Sequence, residues 1–280
     1  MNKKVNLVIR SFVLTSVVVY GLAGFIVYSE LKPHNLEFYI FDIGQGDSIL
    51  IKTPSHQTIL VDGGPDNSVV YKLGKYLPFY QRQIDFVILT HADADHLVGL
   101  LEVLRRYEVE NVITTNFIHN SSYSKEWHSR LDDFNVLIVD QPKILSLGDV
   151  ELFFINPGNS KLAEDVNNAS LVFKLEYQDA AALFMGDFEN EESFVTSEFN
   201  VSADFLKVGH HGAGNANNLK FLTQVRPKFA AISVGANNKF GHPAPDVVSN
   251  LSGLGAEVLR TDLSGDIHFI SHGEDFYLSP

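Results

Sequence analysis

The sequence contains no cysteine. Disulfide bonds and thiolate metal ligands are therefore excluded, and any metal ion must bind to histidine and carboxylate side chains. Basic residues are also scarce, since 21 lysines and arginines stand against 34 aspartates and glutamates, giving a formal net charge of −13. A surface of this charge does not attract a polyanion through bulk electrostatics, so any recognition of phosphate must be local.

Charged residues are absent from one long apolar stretch, residues 11–28. Its length is just sufficient for a helix to cross a bilayer. Two lysines and an arginine precede it, so the positive-inside rule predicts a cytoplasmic N-terminus at residues 1–10 and a transmembrane anchor at residues 11–29. The remainder of the chain is then extracytoplasmic, attached to the cell membrane by a single pass. A cleaved signal peptide is the alternative, and it predicts the same side of the membrane.

A short linker at residues 30–35 precedes one domain at residues 36–280, whose hydrophobic content is ample for a core. Two stretches rich in strands, each followed by helices, predict an α/β (α+β) fold with two sheets packed face to face and helices outside. The predicted helices lie at residues 69–77, 96–106, 189–198, 216–222 and 245–251.

The densest group of metal-seeking side chains is the hexapeptide His-Ala-Asp-Ala-Asp-His at residues 91–96. It follows an apolar strand, residues 84–90, and precedes a predicted helix. Histidine and aspartate at such a strand–loop–helix junction favour a metal site formed by His91, Asp93, Asp95 and His96. The alternative is a polar loop whose aspartates cap the helix, but a capping loop needs neither histidine.

Several other polar residues each follow an apolar strand: Asp62, Asp187, the pair His210 and His211, and His242. Strand ends are where a layered fold gathers distant residues into one site. Each residue has a structural alternative. Asp62 can have a structural role in a turn, and Asp187 can cap the following helix. His242 can be an ordinary loop histidine, and His210 and His211 can be adjacent by chance.

Together these motifs resemble the metallo-β-lactamase superfamily of hydrolases, whose usual loop is HxHxDH, and more narrowly the metal-binding domain of the ComEC family of competence proteins. The resemblance spans about residues 36–270 and implies a four-layer αββα sandwich. The segments that carry it are FDIGQGDS at 41–48, VDGG at 61–64, LTHADADH at 89–96, NASLV at 168–172, MGD at 185–187, LKVGHHG at 206–212, SVG at 233–235 and FGHP at 240–243.

The resemblance implies a site for two divalent ions. The ligands that it implies are His91 and Asp93 for one ion, Asp95, His96 and His242 for the other, and Asp187 as the bridge. The sequence departs from the family pattern at Asp93, where histidine is usual, and at Asn167 and Asn168, where another histidine ligand usually lies. Oxygen donors in place of nitrogen shift the preference from Zn²⁺ towards Mn²⁺. Occupancy by a single ion is compatible with these changes.

The same resemblance suggests roles for the remaining residues. Asp95 and Asp187 orient the nucleophile, His210 and His211 protonate the leaving oxygen or hold a phosphate oxygen, Asp62 supports a ligand histidine, and Asn168 and Ser170 line the pocket.

The function that follows is a membrane-anchored, extracytoplasmic phosphodiesterase or nuclease linked to DNA uptake. Single-stranded DNA is the expected substrate, and a separate channel protein is an expected partner. Two alternatives stay open. One is a hydrolase of another phosphoester, such as a cell-wall phosphodiester or a lipid headgroup, which the acidic surface favours. The other is a non-catalytic subunit that binds DNA or a protein partner.

Overall fold

The computed structural model describes residues 3–31, 34–157, 166–195 and 199–279. The chain divides into two compact units, residues 1–34 and residues 35–280. The first unit contains helix α1 (Lys3–Leu31), which includes the predicted anchor at residues 11–29. Within the described residues, no helix combines the length and the apolarity that crossing a membrane requires.

The described residues of the second unit form fifteen strands and seven α-helices. The strands are β1 (Leu36–Ile40), β2 (Ile49–Lys52), β3 (Thr58–Val61), β4 (Gln83–Ile88), β5 (Glu108–Thr114), β6 (Asn135–Ile138), β7 (Lys143–Leu147), β8 (Val150–Pro157), β9 (Leu171–Tyr177), β10 (Ala180–Phe184), β11 (Phe205–Lys207), β12 (Phe229–Ile232), β13 (Glu257–Arg260), β14 (Ile267–Ser271) and β15 (Phe276–Ser279). The helices are α2 (Ser68–Tyr76), α3 (Ala94–Arg106), α4 (Ser122–Arg130), α5 (Glu192–Val195), α6 (Leu219–Val225), α7 (Pro245–Gly253) and α8 (Thr261–Ser264).

The strands form two mixed sheets. The first has the order β15-β14-β1-β2-β3-β4-β5-β6, and the second has the order β13-β12-β11-β10-β9-β8-β7. In the first sheet the strands from β3 to β6 are parallel, and in the second sheet the strands from β10 to β13 are parallel. The other neighbouring strands are antiparallel.

Aromatic side chains hold the two sheets together. Phe38 and Phe269 of the first sheet pack against Phe184 and Phe205 of the second, and all four are at most 1% exposed. The rings of Phe38 and Phe205 are 4.6 Å apart. Burying each such side chain contributes roughly 1.5–3 kcal/mol, so this layer is a main source of stability for the sandwich.

Helices cover the outer face of each sheet. Leu73 of α2, Leu100 of α3 and Trp127 of α4 belong to a buried cluster with the first sheet. Phe221 of α6 and Leu251 of α7 belong to an equivalent cluster with the second. The predicted αββα sandwich is therefore confirmed.

The sequence pattern does not predict two of the elements, helix α4 and strand β7. Helix α4 is polar, and only Ser124 and Trp127 are buried within it, so it lacks the apolar stripe that predicts a helix. Strand β7 is a partly exposed edge strand. The helix predicted at residues 189–198 is shorter, with α5 beginning at Glu192 and residues 196–198 lying outside the described part of the chain.

Candidate metal centre

The candidate site lies where the carboxyl ends of parallel strands from both sheets meet. Asp62 follows β3, His91 follows β4, Asp187 follows β10 and His211 follows β11. Strands β3 and β4 are parallel neighbours, as are β10 and β11. Loops at the carboxyl ends of parallel strands project from one edge of a sheet, so residues far apart in sequence converge there.

Asp187 is the centre of this cluster. Its carboxylate oxygens lie 3.9 Å from Nε2 of His91, 3.3 Å from Nε2 of His96 and 3.5 Å from Nε2 of His211. A fourth histidine, His210, places its Nε2 at 3.9 Å. Asp187 is 3% exposed, and its side chain faces these rings rather than capping a helix.

The protein holds three of these imidazoles by their other nitrogen. Nδ1 of His96 lies 2.7 Å from Oδ2 of Asp62, and Nδ1 of His211 lies 2.9 Å from the carbonyl oxygen of Ser233. Both partners can only accept, so each Nδ1 carries the proton. The hydroxyl of Thr90 donates to Asp62 at 2.7 Å and therefore accepts from Nδ1 of His91 at 3.1 Å. Each Nε2 is thereby left to face the site.

Close backbone approach allows Asp62 to reach His96. The amide of Gly63 donates to the carbonyl oxygen of His96 at 2.7 Å, and the amide of Gly99 donates to that of Gly64 at 2.9 Å. A Cβ on Gly63 or Gly99 would clash with the backbone of the opposite segment. These glycines therefore bring the start of α3 against the end of β3.

A tight turn brings the adjacent histidines into the site. His210 and His211 have φ angles of 46° and 52°, in the left-handed region that non-glycine residues seldom adopt. The turn directs the His211 ring inward, where it is 2% exposed, and leaves His210 at the rim. Nε2 of His211 lies 3.3 Å from Oδ2 of Asp95.

His242 does not join the ligand cluster that the family pattern implied for it. The side chains that could share an ion with Asp95 and His96 include His211, and His242 belongs to none of the candidate groups among the described residues. Its half-buried ring instead lies 5.5 Å from the ring of His210. The inward turn places Nε2 of His211 at 3.3 Å from Oδ2 of Asp95, so His211 is the histidine that groups with Asp95 and His96.

Asp93 and Asp95 line the open side of the site. Their side chains are 32% and 31% exposed. Asp93 occupies the N-cap position of α3, yet its side chain makes no capping hydrogen bond, which disfavours the structural alternative for this loop. Asp93 Oδ2 lies 4.0 Å from Nε2 of His91. Burial raises the pKa of Asp93, and the neighbouring carboxylate of Asp95 raises it further, while His96 and His119 oppose the rise.

Asn168 and Ser170 hold the loop that carries Asp187. The Ser170 hydroxyl accepts from the amide of Asp187 at 3.2 Å. Asn168 Oδ1 accepts from the amides of Glu189 and Asn190 at 3.3 and 3.0 Å. In their described contacts, Ser170 supports the backbone of Asp187, and Asn168 supports the backbone of Glu189 and Asn190. Lining of the pocket by Asn168 and Ser170 stays a prediction.

Behind the site lies a buried ion pair that sequence reasoning missed. Lys207 Nζ donates to Asp47 Oδ2 at 2.6 Å, and the two side chains are 1% and 2% exposed. Asp47 Oδ1 lies 3.5 Å from Nδ1 of His211. The only sequence indication was the polar motif around Asp47, which contributes to the family resemblance without showing a contact to a lysine 160 residues later.

The charges of the cluster set the protonation of its histidines. Burial lowers the pKa of His91 to about 3, helped by the neighbouring charge of His96. Burial also opposes protonation of His96 and His211, but the surrounding carboxylates outweigh it. The pKa of His96 is held well above its usual value, and Asp187, Asp47 and Asp95 raise the pKa of His211 to about 10. The buried carboxylates thus demand positive charge, which protons or a cation can provide.

The residues present fit a divalent cation. Nε2 of His91, Nε2 of His96 and Oδ1 of Asp187 are buried and make no hydrogen bond with any described residue, although the last two lie 3.3 Å apart. Metal–ligand distances of roughly 2.0–2.2 Å space donor atoms on one ion by roughly 3–4 Å. The Asp187 carboxylate lies within this range of both rings, at 3.3 Å from Nε2 of His96 and 3.9 Å from Nε2 of His91.

Three overlapping groups of donors occur among the described residues. Two of them surround Asp187 and Asp95: His91, His96 and Asp187, and Asp95, His96 and His211. In the third, formed by Asp47, Asp62 and His96, Asp62 already accepts the hydrogen bond of His96 Nδ1.

A profile of the metallo-beta-lactamase superfamily matches residues 41–235. The chain belongs to the metallo-β-lactamase superfamily. Divalent metal binding is what this fold family and the histidine–aspartate cluster imply. The matched range includes the hexapeptide, Asp187 and the turn at His211, while His242 lies beyond it.

Competence proteins are similar over most of the chain. ComE operon protein 3 of Bacillus subtilis (strain 168) is 33% identical over 255 residues, which are 83% of this chain and 33% of that protein. Competence protein ComA of Neisseria gonorrhoeae is 29% identical over 262 residues, 89% of this chain and 34% of that protein. The chain spans about a third of the length of these relatives.

A solved structure shares the fold. The metallo-beta-lactamase fold protein YhfI from Bacillus subtilis aligns with a TM-score of 0.57 and 15% identity, covering 84% of this chain and all of YhfI. At this identity the likeness shows architecture alone.

Proposed function

We propose that the chain is a metal-dependent phosphodiesterase that cleaves DNA, with single-stranded DNA as its substrate. The observation that carries the proposal is the convergence of three Nε2 atoms on the Asp187 carboxylate, in a site that opens to solvent at Asp93 and Asp95. The competence proteins named above support DNA as the substrate, because competence is the uptake of DNA.

The ligand set defines where a cation would bind. His91, His96, His211, Asp95 and Asp187 would hold it, with room for one or two ions in the overlapping groups. When bound, a divalent ion supplies Lewis acidity, which activates water and offsets negative charge on a phosphoryl group. The half-buried carboxylate of Asp93 would add an oxygen donor, which favours Mn²⁺ over Zn²⁺ relative to a histidine in its place.

The chain's own residues would perform the remaining steps. Asp95 would accept a hydrogen bond from the attacking water and orient it, since its side chain is 31% exposed at the open side of the site. His210 would donate a proton to the leaving oxygen. Its Nδ1 lies 2.7 Å from Oε1 of Glu189, and its Nε2 faces the site at 3.9 Å from Asp187. The Glu189 carboxylate beside Nδ1 would keep the ring in position.

We further propose, on sequence grounds, that the domain acts outside the cytoplasm and is anchored by residues 11–29. The uncharged stretch and the preceding basic residues support this orientation. Fractionation of cells expressing the chain should place it with the membrane, and external protease should digest residues 36–280. Recovery of protease-protected chain from the cytosol would reject this part of the proposal.

The decisive experiment measures cleavage of single-stranded DNA by the full chain with Mn²⁺ or Zn²⁺. Asp95→Ala should reduce cleavage to background, because it removes a ligand and the group that orients water. Asp149→Ala is the matched control, since Asp149 is exposed in the turn between β7 and β8 and should leave the rate unchanged. Full cleavage by the Asp95 variant would overturn the site assignment.

A second candidate is a hydrolase of a smaller phosphoester, such as a cell-wall phosphodiester or a lipid headgroup. The net charge of −13 favours it, because an acidic surface repels a long polyanion. Turnover of methyl p-nitrophenyl phosphate without cleavage of DNA would select this candidate. Binding of DNA without hydrolysis of either substrate would instead show a non-catalytic binding subunit.

A further inference from the structure

One exposed aromatic side chain lies at the rim of the candidate metal centre. Phe240 is 57% exposed and belongs to the loop between β12 and α7. A single exposed aromatic residue is ordinary on a protein surface. Phe240 differs because its ring stacks almost parallel to that of His242, with an interplanar angle of 13° and a centroid distance of 6.0 Å.

The stacked pair connects directly to the site. The ring of His242 lies 5.5 Å from the ring of His210, whose Nε2 faces Asp187 at 3.9 Å. Phe240 is therefore two ring-to-ring steps from a histidine of the cluster. A group stacked on Phe240 and a phosphate bound at the metal centre would therefore belong to the same substrate molecule, joined by a short stretch of it.

The loop is fixed before any ligand arrives. Asn238 Oδ1 accepts from the amides of Phe240 and His242, both at 3.1 Å. Asn238 Nδ2 donates to the carbonyl oxygens of Gly235 and His242 at 3.1 and 2.7 Å. All four hydrogen-bonding positions of this amide are used, so one side chain fixes the backbone that carries both rings. Pre-organisation of this kind lowers the entropic cost of binding.

A cation accompanies the exposed ring. Lys239 Nζ lies 5.3 Å from the centroid of Phe240, and within the described part of the chain no carboxylate pairs with it. Lysine beside an aromatic face is the combination that single-stranded nucleic acids bind, since the ring stacks on a base and the ammonium group contacts the backbone. In a protein of net charge −13, such a local cation supplies what the overall surface does not.

We propose that Phe240, with Lys239, is a stacking platform that binds a base of single-stranded nucleic acid next to the metal centre. The inference rests on the proposed function and deepens it, because it names the feature that selects a nucleotide over a cell-wall or lipid phosphoester. Those alternatives have no planar base to stack. Single strands are required because bases within a duplex do not expose their faces. His242 is then a substrate contact rather than a metal ligand.

The test measures binding of an oligothymidylate that carries one 2-aminopurine, whose fluorescence is quenched on stacking, to the full chain without added metal. Stacking on an aromatic side chain contributes about 1–3 kcal/mol per base, so Phe240→Leu should weaken binding roughly 5- to 150-fold. Phe240→Tyr should restore both the affinity and the quenching. Phe79→Leu is the matched control, because Phe79 is 89% exposed and lies far from the metal centre. It precedes the amino end of β4, whereas the centre lies at the carboxyl ends of the parallel strands.

Wild-type affinity in Phe240→Leu, or an equal loss in Phe79→Leu, would overturn the inference. A second readout uses salt: Lys239→Gln should reduce the slope of log affinity against log salt by roughly 0.7, and an unchanged slope would remove Lys239 from the platform. Binding that depends on Phe240 in a protein without hydrolytic activity would reject the proposed function alone. Hydrolysis of DNA with binding indifferent to Phe240 would reject the platform alone.

Discussion

Replacing Asp62 with asparagine changes one charge and almost no volume. Asp62 Oδ1 accepts from the amide of Thr90 at 2.8 Å, while Oδ2 accepts from the Thr90 hydroxyl and from Nδ1 of His96, both at 2.7 Å. Asparagine keeps one oxygen, which stays with the Thr90 amide, and its NH2 group then faces Nδ1 of His96. Two donors cannot face each other, so His96 must carry its proton on Nε2 instead.

The size of the expected loss in metal affinity follows from the lone pair that Nε2 of His96 loses when it carries the proton. His96 belongs to every candidate ligand group among the described residues, so the wrong tautomer impairs each group that binds an ion through Nε2. The Thr90 hydroxyl, which also contacts His91, loses its charged acceptor at the same time. Substituting such an outer partner of a ligand histidine typically reduces metal affinity about 10- to 100-fold. This corresponds to about 1.4–2.8 kcal/mol of binding free energy.

The assay is competition for Mn²⁺ or Zn²⁺ between the full chain and a chromogenic chelator, with urea unfolding measured in parallel to confirm a folded variant. Asp85→Asn is the matched control, because Asp85 also accepts a backbone hydrogen bond, from Thr58 at 2.7 Å, but lies at the far end of β4. It should bind metal as the wild type does. Wild-type metal affinity in folded Asp62→Asn would refute the tautomer reasoning.

Three further outcomes are expected. Lys207→Met should lower the free energy of unfolding by about 3–5 kcal/mol, because Asp47 stays buried without its partner, and adding Asp47→Asn should recover part of the loss in urea titrations. Burial opposes ionisation of Asp266, but Lys72 and other donors hold its pKa below 3.8. The stabilisation is therefore present above that pH and lost as pH falls through the lowered pKa, so Asp266→Asn should be less stable than wild type at pH 7 and nearly equal at low pH. Mn²⁺ at about 100 times its dissociation constant should raise the unfolding free energy by about 2.7 kcal/mol, and Asp187→Ala should abolish this gain in thermal melts.

The layered fold could be predicted because its apolar patterns are local. Strands such as β3 and β10 are apolar runs with polar residues soon after them, and helix α3 carries a clear apolar face. Helix α4 could not be predicted in the same way, since its stability comes from burying Trp127 against the first sheet rather than from its own composition. The predicted anchor at residues 11–29 stays a prediction from composition.

The candidate site was predictable only where its residues are contiguous. Four donors within six residues indicate a metal site, namely His91, Asp93, Asp95 and His96. Supporting contacts such as those of Thr90 and Glu189 carried no pattern, because each is an ordinary polar residue until the fold places it beside a histidine. The direction of the His211 ring towards Asp95 depends on a left-handed turn. Two adjacent histidines do not predict such a turn.

By itself the sequence therefore determined the ligand chemistry: no thiolate, two histidines and two aspartates in one loop, and further candidates at strand ends. The tertiary structure alone decided which of those candidates meet. It placed Asp187 among four histidines and His211 within reach of Asp95 and Asp187, and it left His242 stacked on Phe240 at the rim. The physical reason is that a loop's composition sets which atoms can bind an ion, whereas strand order and backbone turns set where those atoms lie.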